Sequence, residues 1–312
     1  MMSSSSSSTG QSNELFKHEI GIGAWSWGDK LFWEYSKEYG DEDTFLVINE
    51  CQNQGITFID TAESYGSGES ERLIGRFIAE KQKPVYLATK FMPYPWRLSR
   101  SSLMAALSKS LKRLNLTHVD LYQIHYPNPP VPITVWIEEM AKLHSKGLIG
   151  SIGVSNFNVA QIESTIVTLK KYGLNLASNQ VEYSLLNRSI ERNGMTSLCN
   201  QENIRIIAYS PLGQGLLTGK YSTDNPPGGI RGLRYHNQLK TIGPLIALLR
   251  KLGDQYGGKT PSAVALNWTI CKGTLPIPGA KSIQQLTQNA GALGWRLSAD
   301  DIALLDEASE VF

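Results

Sequence analysis

In the stretch TFIDTAESYGSGESERLIG, residues 57 to 75, a carboxylate closes an apolar run: Asp60 follows Phe58 and Ile59, and Tyr65 comes five residues later in a Gly- and Ser-rich segment. Further on, Lys90 closes VYLATK and His125 closes VDLYQIH. These four residue types form a coherent proton-transfer set. A buried lysine beside a tyrosine favours the phenolate, drawing a phenol down from about 10 toward neutrality. Asp60 is the counter-charge that holds such a lysine cationic. His125 can orient a carbonyl oxygen beside the phenol. The result is a proton donor next to an oxyanion site, suited to reducing C=O when hydride arrives from elsewhere. No nucleophilic Ser or Cys with a paired base is evident, and the five histidines show no metal-ligand spacing, so no metal is expected.

Such residues need a scaffold that brings distant segments to one place. Eight strand-like runs recur along the chain: IGIGAWSW from Ile20, TFIDTA from Thr57, VYLATK from Val85, VDLYQIH from Val119, IGSIGVSN from Ile149, LASNQVEYS from Leu176, IRIIAYSP from Ile204 and TLPIPGA from Thr274. Amphipathic segments lie between them. In DTFLVINECQNQG the residues Phe45, Ile48 and Cys51 fall three apart and Gly55 supplies the stop; SRSSLMAALSKSLKRLN stripes Leu103, Leu107, Leu111 and Leu114. Strand and helix alternating eight times, with no Pro/Gly-rich linker, predicts an α/β fold: one (β/α)8 TIM barrel as a single domain over residues 14–312. A doubly wound sheet wants a Gly-x-Gly-x-x-Gly turn after a strand. GIGAWSWG has Ser26 at the third position, and GQGLLTG spaces Gly213, Gly215 and Gly219 one residue too wide.

In a barrel of this kind chemistry collects at the C-terminal ends of the strands. Asp60, Lys90, His125, Ser155 with Asn156, Gln180, and Tyr209 with Ser210 all fall there. Singly each has a dull explanation as a solvated or structural residue. Jointly they choose one rim.

With 41% hydrophobic and 19% charged residues the chain has ample material for a core, and a net charge of +2 offers no electrostatic reason to expect nucleic acid or an anionic membrane. No run of 18 apolar residues indicates a membrane span. Residues 1–13, MMSSSSSSTGQSN, read as a disordered Ser-rich tail rather than a secretory signal. Three scattered cysteines, Cys51, Cys199 and Cys271, argue for a reducing, cytoplasmic compartment.

The ordered motifs FIDTAESYGSGESERLIG, ATKF, VDLYQIH, IGVSNF, NQVEYS, AYSPLGQGLLTGKY and IPGAKS resemble the aldo-keto reductase superfamily from about Ile20 to Glu310. The resemblance implies an NADPH-bound barrel with the catalytic tetrad Asp60, Tyr65, Lys90 and His125, Tyr65 acting as general acid. Ser155, Asn156 and Gln180 are implied to hold the nicotinamide carboxamide, and Tyr209 to stack under the ring. Ser210, Pro211, Leu212, Gly213 and Gly215 are implied to wrap the pyrophosphate, with Lys220 beyond. Arg231, Lys281 and Ser282 fall to phosphate, and Gln285 and Asn289 to the adenosine. Ala24, Trp25, Asp60, Pro278 and Gly279 complete the implied cofactor contacts. The basic cluster favours NADPH over NADH.

Two departures stand out. Gln285 occupies a region where many members place a phosphate-clamping Arg, and the chain stops at Phe312 without a long pocket-closing C-terminal loop. Trp25, Trp27, Tyr94, Trp96 and Tyr126 are therefore expected to shape the substrate pocket. ALNWTICKGTLPIPGAKS, GALGWRLS, ATKFMPYPWRLS and IGAWSWG are most similar to plant-type pyridoxal reductases, which brings in pyridoxal as a candidate substrate beside methylglyoxal and other small or aromatic aldehydes. A monomer is expected. A regulatory NADPH-sensing subunit is the second reading, since such members keep the tetrad. A Schiff-base aldolase using Lys90 is disfavoured, because Asp60 keeps that amine protonated.

Overall fold

The computed structural model describes residues 14–30, 32–37, 39–81, 84–228 and 230–312; the expected Ser-rich tail lies outside them. Eight parallel strands form one sheet in sequential order. They are β1 (Gly21–Gly23), β2 (Phe58–Asp60), β3 (Tyr86–Phe91), β4 (Val119–Ile124), β5 (Ile149–Ser155), β6 (Ser178–Glu182), β7 (Arg205–Tyr209) and β8 (Leu275–Pro276). The Gly23 amide donates to the Pro278 carbonyl at 3.0 Å, joining the two edges. Helices α1 (Asp41–Asn53), α2 (Glu69–Lys81), α3 (Ser101–Leu114), α4 (Ile133–Ser145) and α5 (Val159–Lys170) follow the first five strands in turn. This is the (β/α)8 barrel expected.

The end strands are shorter than their sequence runs. Around β8, Pro276 and Pro278 lack the N–H a ladder needs, and only Ile207–Leu275 and Ala208–Pro276 register with β7. The last ladder bond of β1 runs from the Ala24 amide to the Asp60 carbonyl at 2.8 Å, and the chain then turns, the Trp27 amide donating back to the Ala24 carbonyl at 3.1 Å.

Alternation along the strands builds the site. Phe58, Ala88, Leu121, Ala177, Ile207 and Leu275 pack with Leu15 into a dry plug inside the barrel. Their neighbours Ile59, Tyr122 and Ala208 belong to the larger core beneath the helices. Two residues beyond the plug, the same inward face carries Asp60, Lys90, Gln123 and, on β7, Tyr209; Lys90 registers with Gln123 across β3 and β4. The apolar layer thus forces a polar layer directly above it, where water is excluded and each charge needs a partner.

Candidate active site

Lys90 is fully buried, and its ammonium has three protons to place. One goes to Asp60 Oδ1, one to the Thr61 carbonyl at 2.9 Å, and one to the Tyr65 hydroxyl oxygen at 3.2 Å. Asp60 is equally saturated: Oδ2 accepts from Gln180 Nε2 at 2.8 Å and from Gln123 Nε2 at 3.1 Å. Because Tyr65 accepts from Lys90, its own proton is left to point elsewhere.

Tyr65 reaches this position through a tight left-handed turn. Gly66 and Ser67 sit at φ 54° and 55°, and a Cβ on residue 66 would lie 2.6 Å from the Gly28 carbonyl oxygen. Only glycine fits there. His125 is placed by its amide, which donates to the Phe91 carbonyl at 2.8 Å. Its ring meets Tyr65 edge-on with centroids 5.7 Å apart, and Tyr126 stacks on its other side at 5.2 Å.

Burial dominates the proton balance. It lowers Lys90 from its ordinary value, with Asp60 pulling the other way. It raises Tyr65 well above the ordinary phenol value, and the Asp60 charge adds to the rise. The sequence reading expected Lys90 to draw the phenol toward neutrality; in the structure burial instead raises Tyr65 above the ordinary phenol value. Burial, and then the Lys90 charge, push His125 down to about 3, so the ring is neutral. The Ser64 hydroxyl faces Nδ1 at 3.4 Å, and a hydroxyl donating there leaves Nε2 to carry the ring's proton.

On the opposite wall the ends of β4 to β7 are chained together. Asn156, at φ 61°, donates from Nδ2 to the His125 carbonyl at 3.2 Å and to Ser155 Oγ at 3.0 Å, and accepts at Oδ1 from the Tyr209 hydroxyl at 3.0 Å. Ser155 Oγ donates to the Gln180 carbonyl at 2.9 Å. Burial raises the Tyr209 phenol, which therefore stays a donor. Beyond it, Leu212 at φ −103° is followed by Gly213, Gln214 and Gly215 at φ 55°, 53° and 99°. The amides of Gly213 and Gly215 close this turn on itself, donating to the Ser210 carbonyl at 2.8 Å and the Leu212 carbonyl at 3.0 Å. Gln214 Oε1 is buried there without a hydrogen bond. An orphaned acceptor there fits a ligand that brings a donor of its own, such as a sugar hydroxyl.

The residues after β8 are more committed. Lys281 Nζ donates to the Trp33 carbonyl at 2.9 Å and lies 4.6 Å from the Tyr39 ring centroid. Ser282 caps a helix by accepting from the Gln285 amide, Gln285 Oε1 accepts from the Lys281 amide at 2.8 Å, and buried Asn289 donates to the Gly279 carbonyl at 3.2 Å. Lys220 is exposed beside Tyr221. Arg231 stands in the first turn of a helix from Ile230 to Thr241, and its side chain lies outside the described residues.

Of the expected pocket aromatics, Trp25 is half-buried and stacks on Phe32 at 5.1 Å, and Tyr126 is partly exposed. Tyr94 and Trp96 stack on each other at 4.7 Å. Trp27 is a correction: it is wholly buried, with Nε1 donating to the Ala280 carbonyl at 3.0 Å, so it ties β1 to the β8 loop instead of lining a pocket. The sequence reading also missed Gln123. It stands two residues before His125 on the inward face, and strand alternation alone could have found it.

The model of the aldo/keto reductase family matches residues 19–310. A chloroplastic pyridoxal reductase from Arabidopsis thaliana is 39% identical, with 93% of this chain and 83% of that protein covered. A thermostable aldo-keto reductase crystallised with the inhibitor epalrestat superposes with a TM-score of 0.77 at 30% identity, covering 93% of this chain and 94% of that one. An aldo/keto reductase from Klebsiella pneumoniae, crystallised with NADP and acetate, gives 0.73 at 28% identity, covering 93% and 90%. With these matches spanning almost the whole barrel, the chain belongs to the aldo/keto reductase family.

Proposed function

We propose that this protein reduces aldehydes and ketones to alcohols with NADPH, and that Tyr65 is the proton donor. The observation that carries the reading is the assignment of all three Lys90 protons, one of them to the Tyr65 oxygen at 3.2 Å. When bound, NADPH supplies hydride to the carbonyl carbon. Tyr65 gives its proton to the carbonyl oxygen, and Lys90 stabilises the phenolate as it forms. Asp60 keeps Lys90 charged, with Gln123 and Gln180 sharing the load on its carboxylate. Neutral His125 donates from Nε2 to the same carbonyl oxygen, orienting it without adding a charge that would repel Lys90.

The cofactor would be held by Ser155, Asn156 and Gln180 at its carboxamide, by Tyr209 at its ring and by residues 210–215 at its pyrophosphate. Arg231, Lys281, Ser282, Gln285 and Asn289 would serve the adenosine end. Pyridoxal is the first candidate substrate, supported by the Arabidopsis relative, with methylglyoxal and aromatic aldehydes beside it. A monomer in a reducing compartment such as the cytosol suits three free cysteines, two of them buried. Among the described residues no helix is long and apolar enough to cross a membrane.

The test follows NADPH absorbance with pyridoxal, methylglyoxal and nitrobenzaldehyde. Wild type turns over at least one, and Tyr65→Phe loses about 10²- to 10⁴-fold in kcat, the usual worth of a positioned acid. Wild type that binds NADPH yet oxidises it with no carbonyl overturns the activity. Full turnover by Tyr65→Phe overturns the acid.

A further inference from the structure

Asp60 Oδ2 accepts from two amides whose surroundings differ. Gln180 donates at 2.8 Å from β6, and it is also the residue proposed for the cofactor's carboxamide. Gln123 donates at 3.1 Å from β4, has no exposed surface and stands in register with Lys90. A carboxylate only accepts, so the nitrogen of Gln123 must face Asp60 and its oxygen must face away. That oxygen, Oε1, is buried without a hydrogen bond among the described residues, as is Ser178 Oγ on β6. The stem of Gln123 lies over Gly153 on β5: a Cβ there would sit 2.8 Å from Gln123 Cγ and 2.5 Å from Ser178 Oγ. The missing side chain at residue 153 leaves the room in which Gln123 extends past β3 to Asp60 on β2.

An apolar side chain of the same length would fill this position without an unpaired acceptor, and an orphaned buried acceptor opposes folding. What glutamine alone supplies here is the donor to Asp60. The proposed reaction has a use for it. Asp60 must keep Oδ1 on Lys90 to hold the cation beside Tyr65, and an amide that also engages a ligand cannot keep its best geometry toward Oδ2. The titratable groups around position 123 are Asp60 and Lys90, with Tyr65 beyond Lys90 and His125 two residues along β4. Gly153 and Ser178, from β5 and β6, bring no charge.

Resting on the reductase reading above, we propose that Gln123 is a positioning residue, which keeps Asp60 on Lys90 while Gln180 engages the cofactor. Cofactor affinity and proton donation then both depend on a side chain sealed inside the barrel.

The experiment compares Gln123→Met and Gln123→Glu with wild type from about pH 5.5 to 8.5, a range that spans the titration of a shared-proton carboxyl pair. It reads NADPH binding by calorimetry, and kcat for whichever carbonyl wild type reduces fastest. Circular dichroism at each pH fixes the folded fraction. Gln123→Met keeps the length and loses the donor, so NADPH binds about tenfold more weakly and kcat falls about tenfold at every pH, the worth of one hydrogen bond to a charged group. Gln123→Glu sets two carboxyls on one proton, since two carboxylates this close cannot both stay ionised. While the proton is present it donates to Asp60 as the amide did, and both readouts return to near wild type at the acid end. As pH rises and that proton leaves, both fall to the level of Gln123→Met or below. Packing does not titrate, so a side chain that only fills space gives no such recovery. Gln123→Met within about twofold of wild type in both readouts overturns the proposal. Folded Gln123→Glu that fails to recover at the acid end also overturns it, and this variant decides alone should Gln123→Met fold poorly. If wild type binds NADPH but reduces no carbonyl, the reductase reading fails, and the binding series decides on Gln123 by the same criteria. No NADPH binding by wild type overturns both.

Discussion

Asp60 and Glu71 are both buried carboxylates, both paired with a cation, and only eleven positions apart in one sequence motif. Asp60 points into the barrel and holds Lys90, whose remaining protons reach Thr61 and Tyr65. Glu71 lies outside the barrel on α2, accepting from Thr89 Oγ1 at 2.6 Å and from Arg113 Nε at 2.6 Å. Arg113 Nη2 turns to Ser110 at 3.1 Å on its own helix, so this pair fastens α2 and β3 to α3. Thr89 and Lys90 are neighbours on β3 that face opposite ways. Burial and pairing therefore do not separate a charge proposed to serve catalysis from a structural one. The side of the strand does, because only the inward side reaches a phenol at the barrel mouth.

Lys90→Met tests the inward pair most severely. Tyr65 then forms its phenolate without a cation, and kcat falls by about 10²- to 10⁴-fold, the scale of acid catalysis. On the proposed mechanism, the expected alkaline loss of activity in wild type belongs to Tyr65 and Lys90 as a coupled pair, burial pushing the first up and the second down. Lys90→Met removes that shared limb from the pH profile.

Glu71→Gln tests the outward pair and leaves Arg113 half-satisfied. Urea unfolding should show a loss of about 3 kcal/mol, the cost of orphaning a largely buried charge, with kcat near wild type while the protein is folded. If Glu71→Gln instead cost as much kcat as Lys90→Met, the division between inner and outer pairs would be wrong.

The smallest effect concerns pH and His125. Its folded value of about 3 lies below the ordinary 6.5, so between those limits the unfolded chain binds the extra proton. Stability is thus complete above pH 6.5 and declines as pH falls through the window. His18, also lowered chiefly by burial, contributes with the same sign. Urea midpoints measured from about pH 7 to 5, above the range where carboxylates protonate, should fall. The decline should be shallower in His125→Gln. An identical slope in the two proteins would mean that the ring is not held neutral.

Much of this site is legible from residue order. Asp60, Lys90 and His125 stand out because each puts a polar group at the end of an apolar run, and period-two alternation assigns them to one face. The same alternation contains Gln123, whose amide looks unremarkable until Asp60 is seen to need a second donor on Oδ2. Glu71 reads as an ordinary first-turn acid on α2. Its burial depends on Arg113, which is 42 residues away, and no local pattern carries that pairing. Trp27 resembles a pocket aromatic by position, and only the distant Ala280 carbonyl makes it core.

The sequence by itself determined the eightfold alternation, the inward face of each strand and the residue types at the mouth, because these follow from local periodicity and side-chain chemistry. The tertiary structure alone decided which charge meets which, and in which protonation state each rests. Those outcomes depend on desolvation and on contacts between elements far apart in the chain. For Tyr65, that desolvation raises the phenol well above its ordinary value.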